Sequence, residues 1–214
     1  FDAFLRFKEH LERGVTSKAD LASLDLEALS QIKESERSDA EDLLKQRVKA
    51  SVEDPRVIDA LVQIGTESAW TVIDEAANNA PPITRLRALR RLSAAGRRQD
   101  ILGDVASIAR NHDASMAAEE YLSALLDLAS DEADDVMVDL LDKTTNRSVR
   151  TMVVTALFRR FDLDKYEEVA TGPVWHLRMG LTAPFPSVRS QALDELRELI
   201  DKRRAGKTDK ELGL

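Results

Sequence analysis

The sequence predicts an all-α protein built as a stack of antiparallel helix pairs, about five to six of them. Three observations lead there. Apolar residues recur with helical rather than strand period along nearly the whole chain. The 214 residues hold only 8 Gly and 6 Pro, too few for the many tight turns of an all-β fold. And one dipeptide, Ala-Leu, returns at even intervals from end to end.

The elements follow in order. Phe1, Phe4, Leu5 and Leu11 give an opening helix its apolar face, and Gly14 can close it in the left-handed conformation. Ser17 and Asp20 have capping-box character ahead of Leu21, Leu24 and Leu26. Ser38 with Glu41 is a better box, ahead of Leu43, Leu44, Val48 and Val52. Asp54-Pro55 reads as N-cap and first helical residue, since proline's missing N–H would have no partner there. That helix ends near Gly65. Thr66 caps the next, which carries Ala69, Trp70, Ile73 and Ala77. After a break at Asn78 to Pro82, Ile83, Leu86, Leu89 and Leu92 run to Gly96, and a further helix carries Ile101, Val105 and Ile108. Asp113 or Ser115 caps a helix with Tyr121, Leu122, Leu125 and Leu128, and Ser130 caps one with Val136, Leu140 and Leu141. Asn146 or Arg147 precedes Val149, Val153, Ala156 and Leu157. Asp162 caps a short helix, Pro173 opens another, and Pro184 and Pro186 break the chain before a last helix to Arg204. Residues 1–204 read as a single domain, with 1–37 as an irregular N-terminal cap. The tail, 205–214, has little to bury and is expected to fray.

The repeat stands at Ala28-Leu29, Ala60-Leu61, Ala88-Leu89, Ala124-Leu125, Ala156-Leu157 and Ala192-Leu193, in steps of 32, 28, 36, 32 and 36 residues. Ala and Leu are common enough for some such pairs to arise by chance. Chance does not supply the even spacing, nor the apolar residue three or four positions on in most copies (Ile32, Ile64, Leu92, Leu128, Leu196). A small residue beside a large one suits a helix packed closely on the next layer.

On these residues the chain resembles the HEAT-like family of α-helical repeats. The nearest matches are Val149-Arg150 through Ala156-Leu157, and Val188-Arg189 through Ala192-Leu193 after Pro186. Asp54-Pro55-Arg56-Val57 before Ala60-Leu61 is a looser third. Step lengths vary, the Val-Arg pair is missing from the Leu86 and Leu125 units, and the first unit matches only at Ala-Leu. The resemblance implies a right-handed α-solenoid with a concave face for partners. It implies no reaction.

Composition and motifs narrow the function. Cysteine is absent, which removes disulfides, thiolate metal sites and cysteine nucleophiles, and fits a cytoplasmic location. The longest apolar run, Met152 to Phe158 interrupted by Thr155, is far short of the ~20 residues that span a bilayer. No signal segment opens the chain, although its first residue is Phe, so a removed leader stays open. No phosphate-cradling loop, nucleophile elbow or His-Glu zinc motif occurs, so no catalytic residue, metal site or cofactor is expected. His10, His112 and His176 read as surface or helix-end residues, and Trp70 and Trp175 as packing.

Charge is the most informative feature. Net charge is −8 from 31 basic and 39 acidic residues, yet residues 113–142 hold ten acids and no Lys, Arg or His. Outside that stretch the chain is nearly neutral. Acids three or four apart on one helix repel one another. Either they meet a basic partner, through Glu119, Glu120, Asp134, Asp135 and Asp139, or they pair with arginines of adjacent repeats, Arg85 to Arg98 before and Arg147 and Arg150 after. The run Arg85 to Arg98 reads first as a solvated helix face, with Arg87, Arg90 and Arg91 as a candidate anion site. Nucleic acid is disfavoured by the net acidity and by 5% aromatic content.

The resulting expectation is a non-enzymatic protein-interaction module (adaptor, scaffold or immunity-type inhibitor) that takes a protein or peptide with a basic surface. The alternative is an enzyme on a HEAT-like scaffold, a nucleobase glycosylase or a tetrapyrrole lyase-like protein. The glycosylase requires the Arg85 to Arg98 face to line the same groove as Trp70 or Trp175.

Overall fold

The computed structural model describes residues 2–15, 24–112, 115–167 and 171–214. The Ser17 and Asp20 cap, Phe1 and Asp113 lie outside them. Among the described residues there are thirteen α-helices and no strand. They are α1 (Ala3–Glu12), α2 (Leu26–Gln31), α3 (Glu34–Lys49), α4 (Arg56–Ile64), α5 (Glu67–Asn79), α6 (Pro82–Ala94), α7 (Leu102–Asn111), α8 (Ser115–Leu128), α9 (Asp131–Lys143), α10 (Arg147–Arg160), α11 (Pro173–Leu181), α12 (Pro186–Arg204) and α13 (Asp209–Leu212). A 3-10 turn spans Asp164–Tyr166. The all-α class and the succession of antiparallel pairs expected from the periodicity are both present. The chain divides into two compact units, Phe1–Ile108 and Ala109–Leu214.

Local signals set most boundaries as expected. Gly65 and Gly96 take positive φ at the ends of α4 and α6, where a side chain would be strained. The Thr66 hydroxyl accepts from the Ala69 N–H, Ser130 from the Ala133 N–H, and Asn146 from those of Ser148 and Val149.

Four readings are corrected. Helix α3 starts at Glu34, so Ser38 and Glu41 are interior residues, and Glu34 and Glu36 supply the favourable first-turn charge instead. Asp54 is not the cap of α4: Pro55 takes that place, while Asp54 is buried and accepts from Arg56 Nε at 2.7 Å and Nη2 at 2.9 Å. Asp162 does not cap the short turn, whose N-cap is Leu163. On α1 the buried residues are Phe7 and Leu11, and Leu5 is exposed, because positions 4, 7 and 11 share a face that excludes 5.

The first unit is two layers of helices. Its pairs are α1/α2, α3/α4 and α5/α6. Across pairs, α1, α3 and α5 stack on one another, and so do α2, α4 and α6. The Ala-Leu repeat explains the second layer. All six copies are buried, and each sits on an even-numbered helix. Alanine lets neighbouring backbones approach, and the leucine beside it fills the space above and below; burying each leucine contributes about 2 kcal/mol.

A second repeated device accompanies it. The fourth residue of α6, α10 and α12 is an arginine that reaches back to a carbonyl at the end of the preceding helix or in the connection beyond it. Arg85 donates to Ala77 O at 2.9 Å, Arg150 to Thr144 O at 2.7 Å, and Arg189 to Ala183 O at 3.0 Å. A helix C-terminus leaves such carbonyls without partners, and a cation there also meets the dipole favourably. The Leu86 unit, which lacks the Val-Arg pair, has Thr84-Arg85 in its place.

In the second unit α8 packs on α9 and α10, and α9 on α10. Helix α12 departs from the alternation: besides α11 it lies against α9. The connection from α10 to α11 carries the 3-10 turn, which packs on α10. After α12, residues 205–214 form a capped turn held by polar groups. The Tyr166 hydroxyl donates to Asp209, and Arg203 and Lys165 flank the same carboxylate. These contacts hold the Asp209 carboxyl down to about 2.

Helix α11 approaches α12 closely at Gly180, where an added Cβ would stand 2.7 Å from the Ala192 Cβ. Gly180→Ala should therefore lower stability by about 1–3 kcal/mol despite alanine's better helix propensity. Urea unfolding measures this, and adding Ala192→Gly should recover part of the loss.

Candidate functional site

The acidic segment folds as α8 and α9, and its charge acquires a direction on α9. At 100° per residue, Asp131, Asp135, Val138, Asp139 and Asp142 fall on one side of that helix. Helix α12 lies against it and presents Arg197, Ile200, Asp201 and Arg204 from one face of its own. Together the two helices wall a groove of 330 Å³ with Val138 and Ile200 in its lining.

Arginines bridge the groove. Arg204 donates to Asp135 Oδ1 at 2.9 Å and to the Asp131 carbonyl at 2.9 Å, and its Nε lies 3.3 Å from Asp131 Oδ1. Arg197 lies 3.6 Å from Asp142 and 3.2 Å from Asp194. Of the two readings of the acidic segment, internal pairing with arginines is realised for these acids, but with Arg197 and Arg204 from α12 and Arg160 from α10. Several of the arginines named from the sequence also hold acids outside the segment, and Arg87, Arg90 and Arg150 engage further groups. Arg85 and Arg98 hold Asp104, Arg87 and Arg91 hold Asp59, and Arg97 holds Glu67, all inside the first unit.

Asp134 sits beneath this surface. Its side chain is 1% exposed, its Oδ1 accepts from Arg160 Nε at 3.1 Å, and Arg204 stands 3.9 Å from Oδ2. Burial outweighs both arginines and pushes the Asp134 carboxyl above the ordinary carboxylate range, and Asp131 adds repulsion. Asp139 is the opposite case. A hydrogen bond from Lys143, supported by Arg110, outweighs partial burial and holds its carboxyl below that range. Asp131 and Asp135 keep 67% of their side-chain surface exposed and Asp142 keeps 55%, although each meets an arginine. Glu119 and Glu120 are half-buried on α8, and each already engages another group.

The sequence therefore placed Asp134, Asp135 and Asp139 on one helix correctly but could not separate the buried member from the exposed ones. Asp131 and Asp142, on the same stripe, were missed as site residues; their spacing of four and seven from Asp135 is the signal that could have found them. The candidate anion residues are also engaged. Arg87 and Arg91 share Asp59, and Arg90 is half-buried with a contact of its own. This departs from the expected solvated face, because α4 stacks on α6 and brings Asp59 to it.

The tryptophans and His10 meet neighbours within the chain. Arg97 covers the Trp70 ring at 4.7 Å while held by Glu67, so that arginine and tryptophan do share a surface, but each occupies the other. Trp175 meets His176 edge-on. His10 Nδ1 accepts from the Asp25 N–H, at the cap of α2. Among the described residues no three His, Cys, Asp or Glu side chains gather as a metal group, and no helix is long and apolar enough to cross a membrane. Comparison with family models, with curated proteins and with solved structures returns no match for this chain.

Asp134 and Asp139 should give opposite pH signatures. With its folded pKa raised, Asp134 binds a proton more tightly in the folded state, so the wild type should gain stability relative to Asp134→Asn as pH falls through that pKa. Asp139 contributes stability above the usual carboxylate pKa, and relative to Asp139→Asn the wild type should lose it as pH falls through the depressed value. Urea unfolding between neutral and acid pH reads both. Arg160→Ala, which strips the buried Asp134 of its direct partner, should cost about 3 kcal/mol at neutral pH in the same assay.

Proposed function

We propose that this chain is a non-enzymatic interaction module of the HEAT-like kind, an adaptor, scaffold or inhibitor, whose acidic α8/α9 pair takes a basic protein surface. One observation supports the reading above others: Asp131, Asp135 and Asp142 stay more than half exposed while each meets an arginine of α12. A carboxylate has about four lone-pair sites, so one arginine leaves room for a second donor from outside. The arginines hold the carboxylates in place, and the surplus negative charge steers a basic partner toward them. Asp139 lines the same groove, Asp134 is buried beneath it, and Glu119 and Glu120 of α8 complete the set of proposed contacts. The cytoplasm is the proposed location, because a chain without cysteine needs no oxidising compartment.

Capture of basic proteins from the source lysate tests this. Binding should be strong in low salt and lost near about 1 M salt, where screening acts within ~3 Å. Replacing Asp131, Asp135 and Asp142 together by Asn should abolish it, while Arg87→Gln with Arg91→Gln should leave it intact. Capture indifferent to the three aspartates would refute the reading.

A further inference from the structure

The groove between α9 and α12 has a composition that the ion pairs on its rim do not exhaust, and it gives the proposed basic partner a chemical definition. Its two apolar members, Val138 and Ile200, are both buried, so they form a floor rather than a rim. Its volume of 330 Å³ is at the small end of the range for ligand pockets, about 300–1,000 Å³. A small apolar floor under charged walls suits one long side chain with an aliphatic stem and a polar head.

The sign of that head follows from the charges around it. Among the described residues, Arg160, Arg197 and Arg204 engage Asp131, Asp134, Asp135, Asp142 and Asp194. Asp201 also lines the groove, and among the described residues no cation pairs with it. The groove's own lining carries three aspartates, Asp135, Asp139 and Asp201, against two arginines, Arg197 and Arg204. Asp139 is already satisfied on both oxygens, by Lys143 and Arg110. The open acceptors facing the groove are Asp201 and the second oxygen of Asp135, whose first oxygen takes Arg204.

We infer that the α9/α12 groove is a socket for one lysine or arginine side chain of a partner protein, its stem on Val138 and Ile200 and its cation between Asp135 and Asp201. This rests on the proposed function and names the feature of the basic partner that the site would grip. A cation held by two carboxylates over a partly desolvated floor is bound more firmly than one on an open acidic surface.

The probe is an acetylated, amidated tetra-arginine peptide, titrated into the full chain carrying carbon-13 methyl labels. The Val138 and Ile200 methyl resonances should shift saturably. Asp201→Asn removes an open acceptor and breaks no ion pair among the described residues, so it is the clean variant; it should weaken binding about threefold to fivefold. Asp135→Asn with Asp201→Asn should weaken it about tenfold or more. A tetra-norleucine peptide, apolar along the same stem, should not shift the two methyls. If tetra-arginine binds but these methyls stay still, or if Asp74→Asn with Glu75→Gln, two exposed acids of α5 in the first unit, weakens binding as much as Asp201→Asn, the socket is overturned while the acidic-surface reading stands. If tetra-norleucine shifts the methyls equally, the groove is merely apolar and the socket is again overturned. No saturable binding of tetra-arginine overturns the socket, and the salt-dependent lysate capture then decides the wider reading separately.

Discussion

Stacking in this protein depends on a seam of small and large side chains, Ala beside Leu, set once on each even-numbered helix. In the first unit the seam brings α2, α4 and α6 into one layer, and the odd helices close over the outer side of each pair. All six pairs are buried to within a few per cent. Alanine fixes how near two helix backbones come, and that distance decides which polar groups can reach across. Arg85, Arg150 and Arg189 meet carbonyls at or just past the ends of the preceding helices because the pairs are this close. The same closeness makes Gly180 necessary, since even a methyl group there would collide with Ala192.

Buried charge is the second constraint. Asp54 with Arg56 is an ion pair buried on both sides, and Asp134 is a buried carboxylate met by the partly exposed Arg160. Such pairs add little net stability over well-packed apolar residues, and losing one partner is expensive. What they do here is geometric. Asp54 ties the connection after α3 to the start of α4, and its N–H donates to the Thr84 hydroxyl oxygen on α6. Asp134 joins α9 to α10 and, through Arg204, to α12. Opposite charges buried in this way discourage other registers of one helix on the next. The exposed aspartates on the stripe of α9 are held by the same arginines, so the face proposed for binding is ordered before any partner arrives, which reduces the entropy lost on association.

Much of the fold was legible, and the misses share a cause. Caps at Thr66, Ser130 and Asn146 were readable because a cap is a contact between residues two or three apart. Ser38 with Glu41 matched the same local pattern and was wrong, because the helix could start earlier at Glu34 once Ala40 and Leu44 had a layer to bury against. Asp54 resembled a cap until Arg56, two residues on, competed for its carboxylate in a site without water. The acidic segment was found from the sequence, but three of its partners, Arg160, Arg197 and Arg204, lie outside the basic runs named there. Arg197 and Arg204 lie more than fifty residues beyond α9, and only the placement of α12 against it makes them neighbours.

By itself the sequence determined the helices, the small-and-large seam that pairs them and the concentration of acid in one helix pair. These follow from periodicity, propensity and short-range capping, all of which act within a few turns of chain. Tertiary structure decided which aspartates are buried, which remain exposed and which arginines meet them. Those outcomes depend on the packing of α12 against α9 and on the burial of Asp134. Neither is encoded in any local stretch, because burial and charge pairing are properties of what surrounds a residue in space.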